Sequence, residues 1–211
     1  MTMVTTSTID LYKYEKELWE SGIKLVAGVD EVGRGPLVGP VVAAAVILPK
    51  SFVLEGLTDS KKLSEKKRNL FYKIIMKEAI SVGIGIIDAF VIDEVNIYAA
   101  SKLAMYEAIS KLSVRPEHVL IDAMPLDLEV SSTSIIRGDS LSISVAAASV
   151  VAKVTRDEMM YELDRMHPDY GFKNHKGYPT KAHLKAIDEC GILPNYRMTY
   201  APVKKILMKK Q

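Results

Sequence analysis

The chain has 211 residues, of which 48% are hydrophobic, so one medium-sized domain with a sizeable core is expected and wholesale disorder is not. Its 28 basic and 26 acidic residues leave a net charge of only +2. The overall charge therefore does not indicate nucleic-acid binding, and any such role has to rest on local clusters of charge.

A single cysteine, Cys190, excludes an internal disulfide and is typical of a reducing compartment. The sequence contains no apolar run of about 18 residues, so no membrane span is predicted. It also begins without a basic cap followed by an apolar stretch, the pattern of a signal peptide. We therefore expect a cytoplasmic protein that makes no use of a membrane.

The first half of the chain alternates between strand and helix patterns. Three apolar, β-branched runs predict strands at 25–30, 41–48 and 82–87, and the second of them is apolar throughout, as a strand buried on both faces would be. Three helices are predicted: one from a Thr8 cap to Gly22, one capped by Ser64 with Leu70, Phe71, Ile74 and Ile75 facing inward, and one at 92–112 with Leu103, Tyr106, Ala108 and Leu112 facing inward.

The second half predicts a short strand at 118–122 and another at 134–137. Gly138 and Asp139 open a long helix that Pro168 stops, and a last helix begins at a Thr180 cap and ends at Gly191. The order of elements predicts one α/β domain over 1–211, a mixed central sheet with helices on both faces and a helical, basic C-terminal portion from about residue 160.

Four acidic residues follow predicted strands or open a predicted helix. Asp30 and Glu31 end the first strand, Asp122 ends the strand at 118–122, and Asp139 lies where the long helix begins. Carboxylates gathered at such edges repel one another and lose hydration, and a hard divalent cation such as Mg²⁺ or Mn²⁺ removes that cost. Two such ions can hydrolyse a phosphodiester. Taken singly, Asp139 also suits a helix cap and Asp122 a turn.

Asp30 and Glu31 present a difficulty because successive strand residues point to opposite faces. Both side chains reach one metal centre only if the strand twists or ends there, which the neighbouring glycines permit. Alternatively, one of the two residues contributes its backbone carbonyl. The sequence leaves these alternatives open.

The loop Gly33-Arg34-Gly35 does not match a nucleotide-binding pattern. It misses the G-x-G-x-x-G spacing by one residue, and Pro36 removes a backbone donor. We interpret it as a glycine-hinged loop whose N–H groups and Arg34 approach a polymer backbone, with a tight turn between strands as the alternative.

Two basic clusters are candidates for phosphate contacts. One surrounds Tyr178 within residues 173–185, and the other includes Lys61 within residues 61–68. Lysines contact phosphates, and an aromatic ring packs on a sugar or base. For either cluster the alternative is a solvated helix face.

Six motifs, in order along the chain, carry a resemblance to a known family. They are GVDEVGRG with GPVVAAAVIL, DSKKLS at 59–64, VLID ending at Asp122, GD at 138–139, AAASVVAKVTRD at 146–157 and HKGYPTKAHL at 175–184. The chain thereby resembles bacterial ribonuclease HII from about Leu25 to Pro202.

The resemblance implies an RNase H-like fold in which Asp30, Glu31, Asp122 and Asp139 are the metal-binding catalytic acids. It further implies that Gly33, Arg34 and Gly35 grip the backbone around the ribonucleotide 2′-OH, that Tyr178 packs on the sugar at an RNA–DNA junction, and that Lys61 contacts phosphate. Ser149 and Lys153 match the family too, and we assign them a packing role. Relatives often carry glycine after the third acid, where this chain has Ala123.

The implied activity is that of an endoribonuclease acting in ribonucleotide excision repair. Such an enzyme hydrolyses the RNA strand of RNA/DNA hybrids and cuts 5′ to single ribonucleotides in duplex DNA, leaving 3′-OH and 5′-phosphate. Two Mg²⁺ or Mn²⁺ ions would serve the site, and the protein would act as a monomer.

Other classes of function remain as alternatives. A non-catalytic RNA/DNA hybrid-binding protein would need the basic clusters but not the four acids. A different two-metal phosphotransferase, such as an integrase-like enzyme, would need further DNA-binding regions. A glycosidase with a pair of carboxylates would be unaffected by a chelator.

Overall fold

The computed structural model describes residues 10–209, and a five-stranded mixed sheet lies at its centre. The strands run in the order β3-β2-β1-β4-β5. β1 pairs antiparallel with β2, which pairs antiparallel with β3, whereas β1 with β4 and β4 with β5 are parallel. The strands are β1 Val26–Val32, β2 Val41–Ile47, β3 Ser81–Ile87, β4 His118–Asp122 and β5 Ser131–Ile135.

Helices cover both faces of this sheet, which confirms the predicted mixed sheet flanked by helices. The helices are α1 Lys13–Glu20, α2 Glu65–Glu78, α3 Ala89–Val95, α4 Ile97–Ser110, α5 Ile143–Met166, α6 Phe172–His175, α7 Lys181–Cys190 and α8 Ala201–Lys209. Helices α2 and α5 pack on one face, and α4 packs on the other. None of these helices within residues 10–209 combines the length and apolar character needed to cross a membrane.

Strand β2 is buried along its whole length, as its uniformly apolar sequence predicts. Its alternate residues serve two separate cores. Val42, Ala44 and Val46 face α5 and α2, and the residues between them face α4.

Glycines set how closely the two main helices approach the sheet. A Cβ added at Gly28 in β1 would lie 2.0 Å from the backbone carbon of Ser144 at the start of α5. On the other face, a Cβ at Gly85 in β3 would lie 2.0 Å from the carbonyl oxygen of Ala104 in α4. Backbone therefore packs directly on backbone at both places, and any side chain there would push the layers apart.

The single helix predicted at 92–112 is wrong, because the chain breaks at Asn96. That residue has φ 71°, in the left-handed region that asparagine tolerates better than most residues. Its side-chain oxygen accepts hydrogen bonds from the N–H groups of Tyr98 and Ala99, so α4 begins afresh with its own cap.

Two predicted core positions also face solvent. Leu103 is 42% exposed because the small residues Ala100, Ala104 and Ala108 form the face of α4 that meets the sheet. Leu70 is 55% exposed, whereas Phe71 and Ile75 are buried in α2 as predicted. In both helices the sequence shows apolar residues on more than one side, and only the contact with the sheet selects the inner face.

Several element boundaries differ from the predicted ones. β1 continues beyond Asp30 to Val32, and β5 lies at Ser131–Ile135 rather than at 134–137. Asp139 does not cap the long helix: it lies in a short 3-10 turn, and Ser142 caps α5 by accepting from the N–H of Val145. The predicted Thr8 cap lies outside the described residues.

The C-terminal part forms its own small aromatic core against the end of α5. Phe172 stacks on Tyr170 with ring centroids 5.2 Å apart, and both lie close to the Tyr196 ring. The Thr180 cap of α7 is confirmed, since its hydroxyl accepts from the N–H of His183. Helix α8, which the sequence did not predict, packs Val203 into the same cluster.

We expect Gly28→Ala to lower the free energy of unfolding by about 3 kcal/mol, because the added methyl collides with the α5 backbone. Chemical denaturation followed by circular dichroism measures the change. The control is Gly22→Ala, where φ is +97° but an added Cβ meets no atom within 4 Å. This substitution should cost only the backbone strain of about 1 kcal/mol. Equal effects of the two substitutions would contradict the role of Gly28 as a spacer.

Candidate active site

Asp30 and Glu31 lie inside β1 and point to opposite faces of the sheet. Asp30 is buried on the α5 side, where burial raises its pKa and the nearby Ser149 partly opposes that rise. The Glu31 carboxylate lies on the other side, with Oε1 3.5 Å from Nη1 of Arg34. The strand neither ends nor turns at these residues, so strand alternation keeps the two side chains apart.

Asp122 ends β4 beside Asp30, since the parallel register pairs Val29 with Ile121. Its Oδ1 accepts from the N–H of Gly138 at 2.6 Å, which ties the turn that carries Asp139 to the end of the strand. The chain then leaves β4 through Ala123 at φ 50°, in the left-handed region that favours glycine.

Asp139 is buried in the short turn Gly138–Ser140, where burial and the charges of Asp59 and Asp122 raise its pKa. The neighbouring Ser140 hydroxyl accepts from Nζ of Lys62 at 3.1 Å. This contact holds the loop of residues 59–62 against the turn, so two segments far apart in sequence meet at the acidic edge.

That loop adds an acid that the sequence analysis did not select, Asp59. Its Oδ1 accepts from the N–H of Lys61 at 2.9 Å, and its charge raises the pKa of both Asp122 and Asp139. Burial alone would lower the pKa of the Lys61 amine, but Asp30, Asp59 and Asp139 raise it overall. Only its place in the motif DSKKLS could have pointed to Asp59.

Burial raises the pKa of all four predicted acids. Asp30 is affected most: burial raises its pKa well above the ordinary value, and the charges of Glu31 and Asp122 raise it further. Burial also raises the pKa of Glu31, with the Arg34 guanidinium opposing the effect. For Asp122 and Asp139 burial is again the largest cause. The site is therefore short of positive charge.

The donor chemistry of these residues fits a divalent cation, because carboxylate oxygens are the ligands that Mg²⁺ and Mn²⁺ prefer. In residues 10–209, however, no three His, Cys, Asp or Glu side chains are arranged to hold a metal ion as they stand. The reason is visible in their present bonds, since Glu31 faces Arg34 and Asp122 faces Gly138. A cation would compete with these bonds for the same oxygens.

The loop at 33–35 lies against the segment that carries Tyr178. A Cβ added at Gly35 would lie 3.3 Å from Cε1 of Tyr178, and the N–H of Leu37 donates to the carbonyl of Gly177 at 2.8 Å. The Tyr178 ring is 40% exposed, and the Arg34 side chain is also open to solvent. The structure thus brings the predicted substrate-binding loop and the predicted stacking ring together.

Tyr178 is held in place from behind by His183. Nδ1 of His183 donates to the Tyr178 carbonyl at 2.9 Å, so Nε2, 2.7 Å from the Tyr196 hydroxyl, accepts from that hydroxyl. Burial lowers the pKa of His183 to about 4, which keeps the imidazole neutral. His183 of the motif HKGYPTKAHL is therefore structural.

The two basic clusters are less uniform than the sequence suggests. Arg68 is buried, with Nη2 3.5 Å from Oδ2 of Asp157, and does not belong to a surface. Lys153 also pairs with Asp157, which agrees with the packing role predicted for it. Near Tyr178, the Lys176 amine lies over the Tyr161 ring at 4.0 Å. Ser149 is buried, and its hydroxyl donates to that of Ser60 at 2.9 Å.

Comparisons with known proteins give one consistent result. The family model described as Ribonuclease HII matches residues 27–202. The ribonuclease HII of Bacillus cytotoxicus is 55% identical over 202 residues, which are 96% of this chain and 78% of that protein.

Solved structures show the same fold. The ribonuclease H2 of Pyrococcus horikoshii is similar with a TM-score of 0.76 at 24% identity, over 88% of this chain and 98% of that one. The ribonuclease HII of Archaeoglobus fulgidus, solved in complex with PCNA, is similar with a TM-score of 0.71 at 26% identity, over 83% and 95% of the two chains.

We expect His183 to make the protein less stable in mild acid. Its pKa is about 4 in the folded protein against 6.5 without the fold, so the unfolded chain binds the proton first and stability falls as the pH drops through that window. At about pH 5 the loss is about 2 kcal/mol.

The measurement compares denaturation of the native protein and His183→Gln at about pH 7.5 and about pH 5. The difference between the two proteins cancels the acids, whose raised pKa values act in the opposite direction. A parallel loss of stability in both proteins would contradict the prediction.

Proposed function

This chain belongs to the ribonuclease HII family and is a ribonuclease H, and on that premise we propose that it cuts 5′ to single ribonucleotides in duplex DNA as well as within the RNA strand of RNA/DNA hybrids. The products would be a 3′-OH and a 5′-phosphate. Water would form the new bond to phosphorus while the bond from phosphorus to the 3′-oxygen breaks.

The observation that carries the proposal is that four acids, two of them buried and two half-buried, lie near one edge of the sheet. Besides burial, the charge of Asp122 raises the pKa of Asp30, Glu31 and Asp139. These carboxylates cannot stabilise a phosphate anion by themselves, but they suit divalent cations, which would supply positive charge beside the phosphate.

Asp30, Glu31, Asp122 and Asp139 would hold these cations. Two Mg²⁺ or Mn²⁺ ions, when bound, would activate the attacking water and stabilise the leaving 3′-oxygen. Glu31 would contribute from the far face of β1, through its side chain or its carbonyl. Lys61, whose amine is kept protonated by the surrounding acids, would pair with a phosphate oxygen.

Recognition of the ribonucleotide would fall to the loop at 33–35 and to Tyr178. The 2′-OH both donates and accepts hydrogen bonds, and it distinguishes RNA from DNA at a given position. Gly33, Arg34 and Gly35 offer backbone groups without intervening side chains, and the exposed Tyr178 ring beside Gly35 offers a surface for a sugar. Arg34 would pair with phosphate once Glu31 is engaged elsewhere.

The proposal extends to the setting of the reaction. The protein would act as a cytoplasmic monomer on RNA/DNA hybrids and ribonucleotide-containing duplexes, through a single domain spanning 1–211. A non-catalytic hybrid-binding protein is disfavoured, because it does not need four acids of which two are buried and two half-buried at a cost in hydration.

We expect Asp30→Asn and Asp139→Asn each to lower kcat by about a thousandfold or more, because each removes a charge that holds a cation. Binding of the duplex should survive. Gel assays of a duplex with one embedded ribonucleotide measure cleavage, and fluorescence anisotropy measures binding. Asp127→Asn, at an exposed position of the loop after β4, is the matched control. Near-normal turnover in either active-site variant would overturn the four-acid site.

We also expect a chelator to abolish cleavage and added Mg²⁺ or Mn²⁺ to restore it. The same duplex serves as substrate, and thermal melting checks that the protein stays folded in the chelator. Absence of cutting with both ions would overturn the proposed function, and cleavage that persists in the chelator would point to metal-free hydrolysis.

A further inference from the structure

Two arginines, Arg156 and Arg197, are fully buried in the described part of the chain. Neither forms an ion pair with a carboxylate in residues 10–209, so their charges are compensated in another way. Burial lowers the pKa of both, that of Arg156 to about 10, which leaves each guanidinium charged at neutral pH. A buried charge without a counter-ion is costly unless every donor finds an acceptor.

Arg197 gives its hydrogen bonds to the loop that follows β1. Its Nη2 donates to the carbonyls of Gly33 at 2.6 Å and Gly39 at 2.8 Å, and Nη1 donates to the carbonyl of Arg34 at 2.9 Å. The hydroxyl of Tyr200 donates to the same Arg34 carbonyl at 2.7 Å. Carbonyls at both ends of this loop are therefore turned toward the protein interior.

Arg156 joins the same loop to the segment that carries Tyr178. Its Nε donates to the carbonyl of Pro40 at 3.0 Å, Nη2 to that of Val38 at 3.2 Å and Nη1 to that of Lys176 at 3.0 Å. Because one planar guanidinium bonds to both segments, their separation is set by the geometry of a single side chain.

Arg156 packs closely against Gly33. A Cβ at Gly33 would lie 2.3 Å from Nε of Arg156, so a side chain at this position would collide with the arginine. Glycine is also favoured there because φ is +97°. The N–H groups of Arg34 and Gly35, in contrast, donate to no acceptor within residues 10–209, and both residues are exposed. The loop thus turns its carbonyls inward and its N–H groups outward.

We infer that Arg156 and Arg197 are positioning residues for ribonucleotide recognition. They hold the N–H groups of Arg34 and Gly35 and the Tyr178 ring in one fixed arrangement that accepts the ribose and phosphate at an RNA–DNA junction. They act through backbone carbonyls and touch no substrate themselves. The inference rests on the proposed function and adds the residues that preorganise its specificity.

The test uses variants that loosen the arrangement without removing a substrate contact. Arg197→Lys keeps the charge but cannot bond to three carbonyls in fixed directions. Tyr200→Phe removes only the hydroxyl that supports Arg34. The matched control is Tyr170→Phe, whose hydroxyl likewise lies against two carbonyls, those of Cys190 and Gly191, but away from the loop.

The readout is discrimination between RNA and DNA, measured on the full-length enzyme with Mg²⁺. It is the ratio of Ki for an all-DNA duplex, used as a competitor, to KM for the same duplex with one ribonucleotide. We expect the ratio to fall about tenfold in Arg197→Lys and about threefold in Tyr200→Phe, and to stay within about twofold in Tyr170→Phe. The ratio should fall because KM for the ribonucleotide-containing duplex rises, while Ki for the all-DNA duplex stays unchanged.

Thermal melting separates positioning from stability. A variant that melts at a lower temperature but keeps the native ratio overturns the inference, because the arginines would then only stabilise the fold. If Arg197→Lys does not fold, the ratio of Ki to KM measured for Tyr200→Phe decides whether the inference holds. A native enzyme that cuts no ribonucleotide-containing duplex overturns the proposed function, and the inference with it, whereas normal discrimination in folded variants overturns the inference alone.

Discussion

The close packing of α5 across β1 and β2 is the constraint on which the rest of the structure depends. Gly28 lets the α5 backbone lie directly against β1, and the run Ala146, Ala147, Ala148 presents only methyl groups to the sheet. Helix α5 is buried along most of its first three turns as a result. Small side chains allow this close approach, and the helix is held in place because close-packed interiors resist displacement.

Each turn of this helix then delivers a different group to the site. Its start is fixed by α1, whose buried Glu15 carboxylate accepts from the Ser142 hydroxyl at 2.6 Å and the Ser144 N–H at 3.0 Å, favourable partners at a helix N-terminus. Farther along, Ser149 lies near Asp30, where it opposes the rise in pKa that burial causes, and Arg156 donates to the loop beyond β1. A shift of the helix would therefore disturb acids and loop together.

Charge is separated across the site in a way that matches a polyanionic substrate. On one side, burial raises the pKa of Asp30 and Glu31, and the charge of Asp122 raises both further. On the other side, the guanidinium groups of Arg156 and Arg197 donate to backbone carbonyls of the loop beyond β1. The N–H groups of Arg34 and Gly35 in this loop face outward and are free to donate. In the proposed arrangement, acidic groups for metal ions and neutral donors for a sugar–phosphate backbone lie side by side, because the guanidinium groups of Arg156 and Arg197 are turned inward.

The sequence alone determined whatever depends on neighbouring residues. The apolar runs gave β2 and β4 almost to the residue, hydroxyl caps marked the starts of α2 and α7, and the six motifs indicated the family. Tertiary structure decided whatever depends on distant residues. The inner face of α4, the turn that holds Asp139 beside Asp122 and the contact of the loop at 33–35 with Tyr178 all follow from contacts between distant residues. The hydrogen bond from Arg197 to Gly33 joins residues 164 positions apart. A local sequence pattern cannot predict such a bond, because only folding brings the two residues together.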